Sequence, residues 1–304
     1  PETEQSLEQV CDLLVARGYQ EAVTYSFIDP ELQARVNPDL QPVRLANPIS
    51  SEMSEMRTSL WPGLIKAVQH NLNRQKARLR IFEHGLRYYS QDNEIKQEVM
   101  ISGIITGERF PEHWDGKAEV VDYYDIKHDV EMLLRFAAHR DALEFVAAEH
   151  PALHPGQSAA VQRGGKTLGW LGKIHPALAN SLDLDMNSCL FELRYAAISQ
   201  GELTQFQPIS RYPSIRRDLA IVVDASVTAA DLRRCVAEAA GDRLQELVIF
   251  DVYQGKGVET GRKSIAFGLI LQDYSRTLAE QDIESVVARV TGRLGEEFGA
   301  TLRT

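Results

Sequence analysis

Arg211-Tyr-Pro-Ser-Ile-Arg-Arg-Asp-Leu-Ala-Ile-Val-Val-Asp224 opens the stretch that decides the fold, and the pattern it starts runs to the end of the chain. A basic lead-in gives way to an apolar strand predicted over 218–224. A helix is predicted over 228–240, and two strands over 244–253 and 264–272. A longer helix over 279–298 and a short strand over 301–303 complete the series. Strand, helix, strand, strand, helix, strand is the split βαβ, ferredoxin-like order. Two helices then cover one face of a four-stranded sheet, and the other face is free to bind something.

Working outward, 304 residues are long for one domain, and two are expected. Hydrophobic content of 44% is ample for packed cores. The opening Pro1-Glu-Thr-Glu-Gln5 has no signal-peptide pattern and reads as the start of a fragment of a longer cytoplasmic protein. No apolar run approaches membrane-spanning length. Cys11, Cys189 and Cys235 lie far apart, without disulfide or metal spacing, and fit reduced structural thiols. The net charge of −10 is uneven: residues 211–304 carry 13 Lys+Arg and 14 Asp+Glu, so nearly all the excess acid lies before them. A near-neutral domain with one basic edge at Arg211, Arg216 and Arg217 suits a small phosphate footprint, not tight binding by charge alone. By charge alone, those arginines fit a solvated linker better than a phosphate site.

The preceding residues read as an α+β domain on a largely antiparallel sheet. Leu7, Val10, Leu13 and Leu14 repeat at helical spacing before Gly18. A β-rich stretch follows at 22–27, and Trp61-Pro62-Gly63 introduces a helix over 64–74. Strands are predicted at 79–82, 86–89 and 99–106, the last half-buried, and a helix at 124–138 with Ile126, Val130, Leu133, Leu134 and Ala137 on one face. Shorter strands are predicted at 159–162, 168–173 and 190–193. Residues 195–210 are polar and weakly periodic. The boundaries are set at 1–200, a linker at 201–210, and 211–304. His150 and His154 are four apart, but Pro151 and Pro155 forbid the helix a metal pair would need. His154-Pro155 and His175-Pro176 read as turns, and Gly164-Gly165 and Gly169-x-x-Gly172 lack a phosphate-loop lysine. No catalytic and no metal-binding residue is assigned.

Several stretches resemble one family. Gly18-Tyr-Gln-Glu-Ala-Val-Thr-Tyr-Ser-Phe27, Asn47-Pro-Ile-Ser-Ser-Glu-Met-Ser-Glu-Met-Arg-Thr-Ser-Leu-Trp-Pro-Gly-Leu64 and Phe82-Glu-His-Gly85 resemble the class II synthetase-like domain of bacterial phenylalanyl-tRNA synthetase beta subunits. Tyr212-Pro-Ser-Ile-Arg-Arg-Asp-Leu-Ala220, Phe250-Asp-Val-Tyr-Gln-Gly255, Gly261-Arg-Lys-Ser264 and Arg276-Thr-Leu278 are similar to that subunit's C-terminal anticodon-binding domain. The resemblance implies an α+β class II aminoacyl-tRNA synthetase-like antiparallel-sheet domain followed by a ferredoxin-like (βαββαβ) anticodon-binding domain. It implies a C-terminal fragment of a ligase that joins phenylalanine to tRNA(Phe) as an alpha2beta2 heterotetramer. ATP and Mg2+ serve the intact enzyme, and the fragment holds no cofactor.

The resemblance also implies that the first domain has lost its chemistry. In class II catalytic strands an arginine grips the ATP phosphate and a glutamate follows two residues later. Here Tyr89 and Gln91 stand at those places, and Arg87 sits about 7 Å early along the strand. Met56-Arg57-Thr58 survives, but the third signature would fall at 187–194, which contains no glycine. Without a phosphate clamp little stabilises the charge that develops in adenylate formation.

Alternation assigns the free face of the last domain. Leu219, Ile221 and Val223, then Val248, Phe250 and Val252, then Ile265, Phe267, Leu269 and Leu271 are predicted to face the helices. Ala220, Asp251, Tyr253, Ser264, Ala266 and Gly268 are left on the open side, a shelf of small residues edged by a ring and a carboxylate. A tyrosine can stack on a base, and a carboxylate can accept both Watson–Crick-edge donors of guanine. From the residues alone, packing of Tyr253 on the linker and pairing of Asp251 with Lys263 or Arg262 is an equal reading. The resemblance places Ala220, Asp251, Tyr253 and Ser264 at the anticodon-base pocket and makes Arg211, Arg216 and Arg217 phosphate contacts. Two other readings remain: a purely structural assembly module without RNA contact, and a small-molecule sensor. The sensor would want a Gly-rich loop after the first strand, where Asp224-Ala-Ser-Val-Thr228 has none.

Overall fold

A computed structural model describes residues 4–136, 143–184, 187–199, 206 and 208–303. The chain divides into two compact units, 1–205 and 206–304.

The first unit begins with α1 (Leu7–Ala16), capped by Ser6, whose hydroxyl accepts from the Gln9 amide while the Gln9 side chain accepts from the Ser6 amide. It continues through β1 (Gln20–Glu21), β2 (Phe27–Ile28), α2 (Pro30–Val36), β3 (Glu55–Met56), α3 (Trp61–Leu72), β4 (Leu79–Gln91), β5 (Glu94–Thr106) and α4 (Tyr123–Phe136). Then come β6 (Leu143–Ala147), β7 (Leu153–Arg163), β8 (Lys166–Ile174), α5 (Pro176–Ser181), β9 (Cys189–Arg194) and α6 (Ala196–Ser199). Seven strands form one sheet in the order β1-β4-β5-β9-β8-β7-β6, antiparallel except for the β1–β4 pair.

Helices cover both faces of that sheet. Phe82, Ile105 and Phe191 point to the side of α1 and α4, while Ile81, Ile104 and Leu190 point to the side of α2, α3 and α5. This corrects three expectations. Every residue from Met100 to Thr106 is buried, because β5 is sandwiched and not half-exposed. Gly85 does not divide two strands: β4 runs unbroken for 13 residues, and a Cβ on Gly85 would lie 2.4 Å from an Arg57 nitrogen. The β-rich stretch at 22–27 contributes only its last residue to a strand. The predicted end of the helix at 137–138, and most of the linker, lie outside the described residues.

The second unit runs β10 (Ile215–Asp224), α7 (Ala229–Ala240), β11 (Leu244–Tyr253), β12 (Arg262–Leu271), α8 (Glu280–Phe298) and β13 (Thr301–Leu302). Its sheet order is β11-β12-β10-β13, with all neighbours antiparallel. Thr228 caps α7, and Gly299, at φ +59°, ends α8 in the left-handed conformation that favours glycine. Both helices lie on one face, where Ile221, Val223, Phe267, Leu269, Val286 and Val290 form the core. Among the described residues of both units, no helix is long and apolar enough to cross a membrane.

Candidate nucleic-acid interface

Strand register turns the open face of the second unit into a grid. Ala220, Ala266 and Asp251 form one cross-strand row, and Val222, Ser264 and Tyr253 form the next. On the other side of the alanine row stand Asp218 and Gly268. Asp251 is exposed and enters no ion pair among the described residues. Its two candidate partners are engaged elsewhere: Lys263 donates to the Ala225 carbonyl, and Arg262 to the carbonyls of Val222 and Gly299. The carboxylate is therefore available to a ligand.

Tyr253 is held at both ends. Its hydroxyl donates to the Lys256 carbonyl at 3.2 Å, tying the ring to the loop between β11 and β12. Its ring carries the guanidinium of Arg303, 5.1 Å from the centroid. Arg303 follows β13, at the opposite edge of the sheet from β11, and its amide donates to the Ala220 carbonyl. Its side chain therefore extends across β10 and β12 to reach Tyr253. Ser264 shares this row but is only 2% exposed, so its hydroxyl is not presented to solvent in the free chain.

The second strand departs from regular alternation. Ile249 pairs with Phe267 and Asp251 with Ala266, which leaves Phe250 as the extra residue of a β-bulge. The expected inward set is thereby corrected. Leu247 and Ile249 pack on the helices, Val248 pairs with Gly268 on the open side, and Val252 lies on the helix side but is exposed at the edge. Phe250 is 51% exposed and projects onto the open face, where the Arg216 guanidinium lies over it at 5.3 Å. Arg216 also donates through Nε to Asp218 at 2.7 Å. A Cβ on Gly268 would come within 2.8 Å of both partners, so glycine keeps the floor beneath them clear.

The three arginines do not form one knot. Arg216 stands on the open face, whereas Arg217 takes the helix-side phase and donates to Glu280 at the start of α8. Arg211 is exposed in the lead-in. Arg303 and Phe250 are the open-face residues that sequence reasoning missed. The signal for Phe250 was present: Leu247 and Ile249 fall out of phase with Val252, and a bulge reconciles them.

In the first unit the arginines that resemble phosphate clamps are spent on internal partners. Arg57 is buried, donates to Glu83 at 2.7 Å and to the Leu86 carbonyl at 2.9 Å, while Thr24 donates to the other Glu83 oxygen at 2.7 Å. Arg87 pairs with Glu98 and stands 4.0 Å from Glu192. Burial pushes the Glu192 carboxyl up, opposed by Arg87 and by hydrogen bonds from the Leu60 amide and the Ser59 hydroxyl. His150, His154 and His175 each accept at Nδ1 from the amide two residues on. His175 caps α5 as a turn residue should, but His154 lies inside β7, where the register to β8 shifts. Among the described residues no group of three His, Cys, Asp or Glu could hold a metal ion. The apolar helix faces Leu7–Val10–Leu14 and Leu64–Val68–Leu72, expected from the sequence to be partly exposed for a partner chain, are mostly core: Val10, Leu14, Leu64 and Val68 are fully buried, and Leu7 and Leu72 are half-buried.

A ferredoxin-like fold with one helix-free face, an exposed carboxylate outside any ion pair among the described residues and two rings that each carry a guanidinium defines a surface able to receive a planar, hydrogen-bonding ligand. Residues 210–303 match the family of ferredoxin-fold anticodon binding domains, and residues 1–195 match the CLM domain of phenylalanyl tRNA synthetase beta chains. The chain belongs to the phenylalanyl-tRNA synthetase beta chain family. It is 49% identical over 302 residues to the phenylalanine–tRNA ligase beta subunit of Pseudomonas fluorescens, covering 99% of this chain. Against that of Pseudomonas putida it is 48% identical over 303 residues, covering 100%. Against that of Aliivibrio fischeri it is 46% identical over 306 residues, covering 99%. The chain spans 38% of the length of each of these relatives. Among solved structures, a pyrrolysyl tRNA synthetase from Desulfitobacterium hafniense matches at 16% identity and a TM-score of 0.48, over 65% of this chain and 67% of that one.

Proposed function

We propose that the chain is part of a phenylalanine–tRNA ligase beta subunit and binds the anticodon region of tRNA(Phe) with the open face of its second unit. The observation that carries this reading is the exposed, unpaired Asp251 beside Ala220, Ala266 and Tyr253 on a face the helices leave free. Tyr253 stacks on a base, Asp251 accepts from the two edge donors of guanine, and the alanines leave room for the ring. Ser264 joins only when a neighbour on the face moves, since it is buried in the free chain. Arg303, already stacked on Tyr253, is placed to hold the far side of the base or to follow it to a phosphate.

The first unit is a class II synthetase-like scaffold without the chemistry. Its Arg57 is neutralised by Glu83 in the fold and is not left free for a triphosphate. Its role is assembly with a catalytic alpha chain in an alpha2beta2 enzyme that uses ATP and Mg2+. Exposed apolar side chains outside the core, Val23, Tyr25 and Ile49 among them, are what such a partner covers. The experiment that tests the RNA reading is a binding titration across salt with tRNA carrying the phenylalanine anticodon and with one altered at its guanine. Equal affinity for both overturns base reading by Asp251. No affinity for either, in the assembled enzyme as well, leaves a purely structural module.

A further inference from the structure

We infer that the open face holds a second base-stacking position, built by Phe250, Arg216 and Gly268 next to the Tyr253–Asp251 pocket; it rests on the anticodon reading and deepens it. Phe250 exists on this face only because the bulge adds one residue before Asp251. Half of its surface is open to solvent, and an exposed phenylalanine carried on a bulge contributes little to the core below. The Arg216 guanidinium lies over the ring, 5.3 Å from its centroid, and is tethered at Nε by Asp218, so it is held from two directions. Its outward face is a planar cation backed by an aromatic ring. RNA bases stack on guanidinium planes as well as on aromatic rings, and a guanidinium over a ring gains from the ring's quadrupole.

The geometry also suits a neighbouring nucleotide and not a separate ligand. The Asp218–Gly268 row is two residues along the strands from the Ala220–Ala266 row, about 6.6 Å. Phe250 directly precedes Asp251, so the base that meets Asp251 and the one that meets Arg216 belong to one short splayed segment. Gly268 keeps the floor between them level, because any side chain there collides with Arg216 and Asp218. Asp218 holds the arginine, and a base stacked on that plane need offer no particular edge. The first position is selective and the second is tolerant of sequence.

The test uses the 304-residue chain at low salt and an RNA stem–loop whose loop carries the guanine, with 2-aminopurine placed singly on its 5′ or its 3′ side. Binding to the unaltered chain should quench one of these two probes. Phe250→Ala should abolish that quenching and weaken binding by about 5- to 150-fold, the range of one lost stacking contact. Since no charge is removed, the salt slope and the preference for guanine should stay as they were. Thermal melting of the variant checks that the fold is intact, and Arg216→Gln supplies a second probe of the same stack. If Phe250→Ala keeps both quenching and affinity while Tyr253→Ala loses affinity, the second position is wrong and the anticodon reading stands. If the unaltered chain ignores the RNA and the assembled enzyme does too, both fall together.

Discussion

Tyr253 joins a stacking surface to a tether, and the two can be separated by substitution. Tyr253→Ala should cost roughly 1–3 kcal/mol of RNA binding through lost stacking, whereas Tyr253→Phe removes only the hydrogen bond to Lys256 and should cost far less. Filter binding of both variants against the same tRNA reads the difference. Asp251→Asn should blunt the preference for guanine, because an amide offers one acceptor oxygen and adds a competing donor. Arg216→Ala should weaken all sequences, while Arg217→Ala should leave binding unchanged, since Arg217 is turned to Glu280. A titration in which Arg217 matters more than Arg216 would contradict this assignment. His150 gives a residue-scale prediction in the other unit. It sits between Trp61 and Trp170, and burial pulls its pKa down to about 4 from an ordinary 6.5. The unfolded chain therefore binds the proton first as pH falls, so stability present above pH 6.5 drains away between 6.5 and 4, by about 3 kcal/mol. His150→Asn should flatten that slope in chemical denaturation at stepped pH. Of these residues, Asp251 and Tyr253 were legible in the sequence because strict alternation holds from the bulge to the strand end. Phe250 was misplaced because alternation was extended back through an extra residue, and Arg303 was invisible because reach across two intervening strands is a tertiary fact.

At the scale of elements, Asp129 is the pin of the first unit. It lies on α4 with no exposed surface, and it accepts from Arg17 after α1, from Tyr19 at 2.6 Å and from Arg80 on β4 at 3.0 Å. Burial, then the adjacent carboxylate, hold the Tyr19 hydroxyl well above its usual pKa, so it stays a donor at any working pH. Asp129→Ala strands two arginines in a largely closed site and should destabilise the unit by about 3–5 kcal/mol, read as a shift of the urea midpoint. A change under 1 kcal/mol would show that water reaches the arginines freely. Helices were easier to place from sequence than strands here. The faces Leu7–Val10–Leu14 and Leu64–Val68–Leu72 announced themselves by spacing, but their middle residues are buried against their own sheet and only Leu7 and Leu72 keep part of their surface open. The strands β4 and β5 misled for a physical reason. A sandwiched strand needs apolar residues on both sides, so it loses the period-two signal, and a glycine that makes way for Arg57 looks the same in sequence as a break.

Across the whole molecule, each unit owns its core. The second unit's cluster from Ile221 to Leu294 lies wholly within residues 206–304, so that segment made alone should fold and melt cooperatively. It should retain the stacking contacts while binding RNA with a modest salt slope, since its charge is close to neutral. An unfolded segment by circular dichroism would place part of its stability in the rest of the chain. The complete chain should catalyse no phenylalanine-dependent ATP–pyrophosphate exchange, because Arg57 and Arg87 are committed to carboxylates. Exchange by the purified chain would overturn the reading of the first unit as scaffold. The βαββαβ order of the second unit was legible, since it depends on local pattern; the internal ion pairs were not, since they join residues distant in sequence.

The Arg57–Glu83 pair has a historical consequence. Replacing Glu83 alone leaves a buried cation without its counter-ion, and replacing Arg57 alone leaves a buried carboxylate; either step costs several kcal/mol, a large part of what keeps a domain folded. Gly85 and Thr24 are fitted around the same guanidinium, so a larger residue at position 85 collides with it. A lineage carrying this arrangement cannot free Arg57 for an anionic ligand by single viable substitutions. The pair acts as a ratchet, and its two members are expected to change together or not at all.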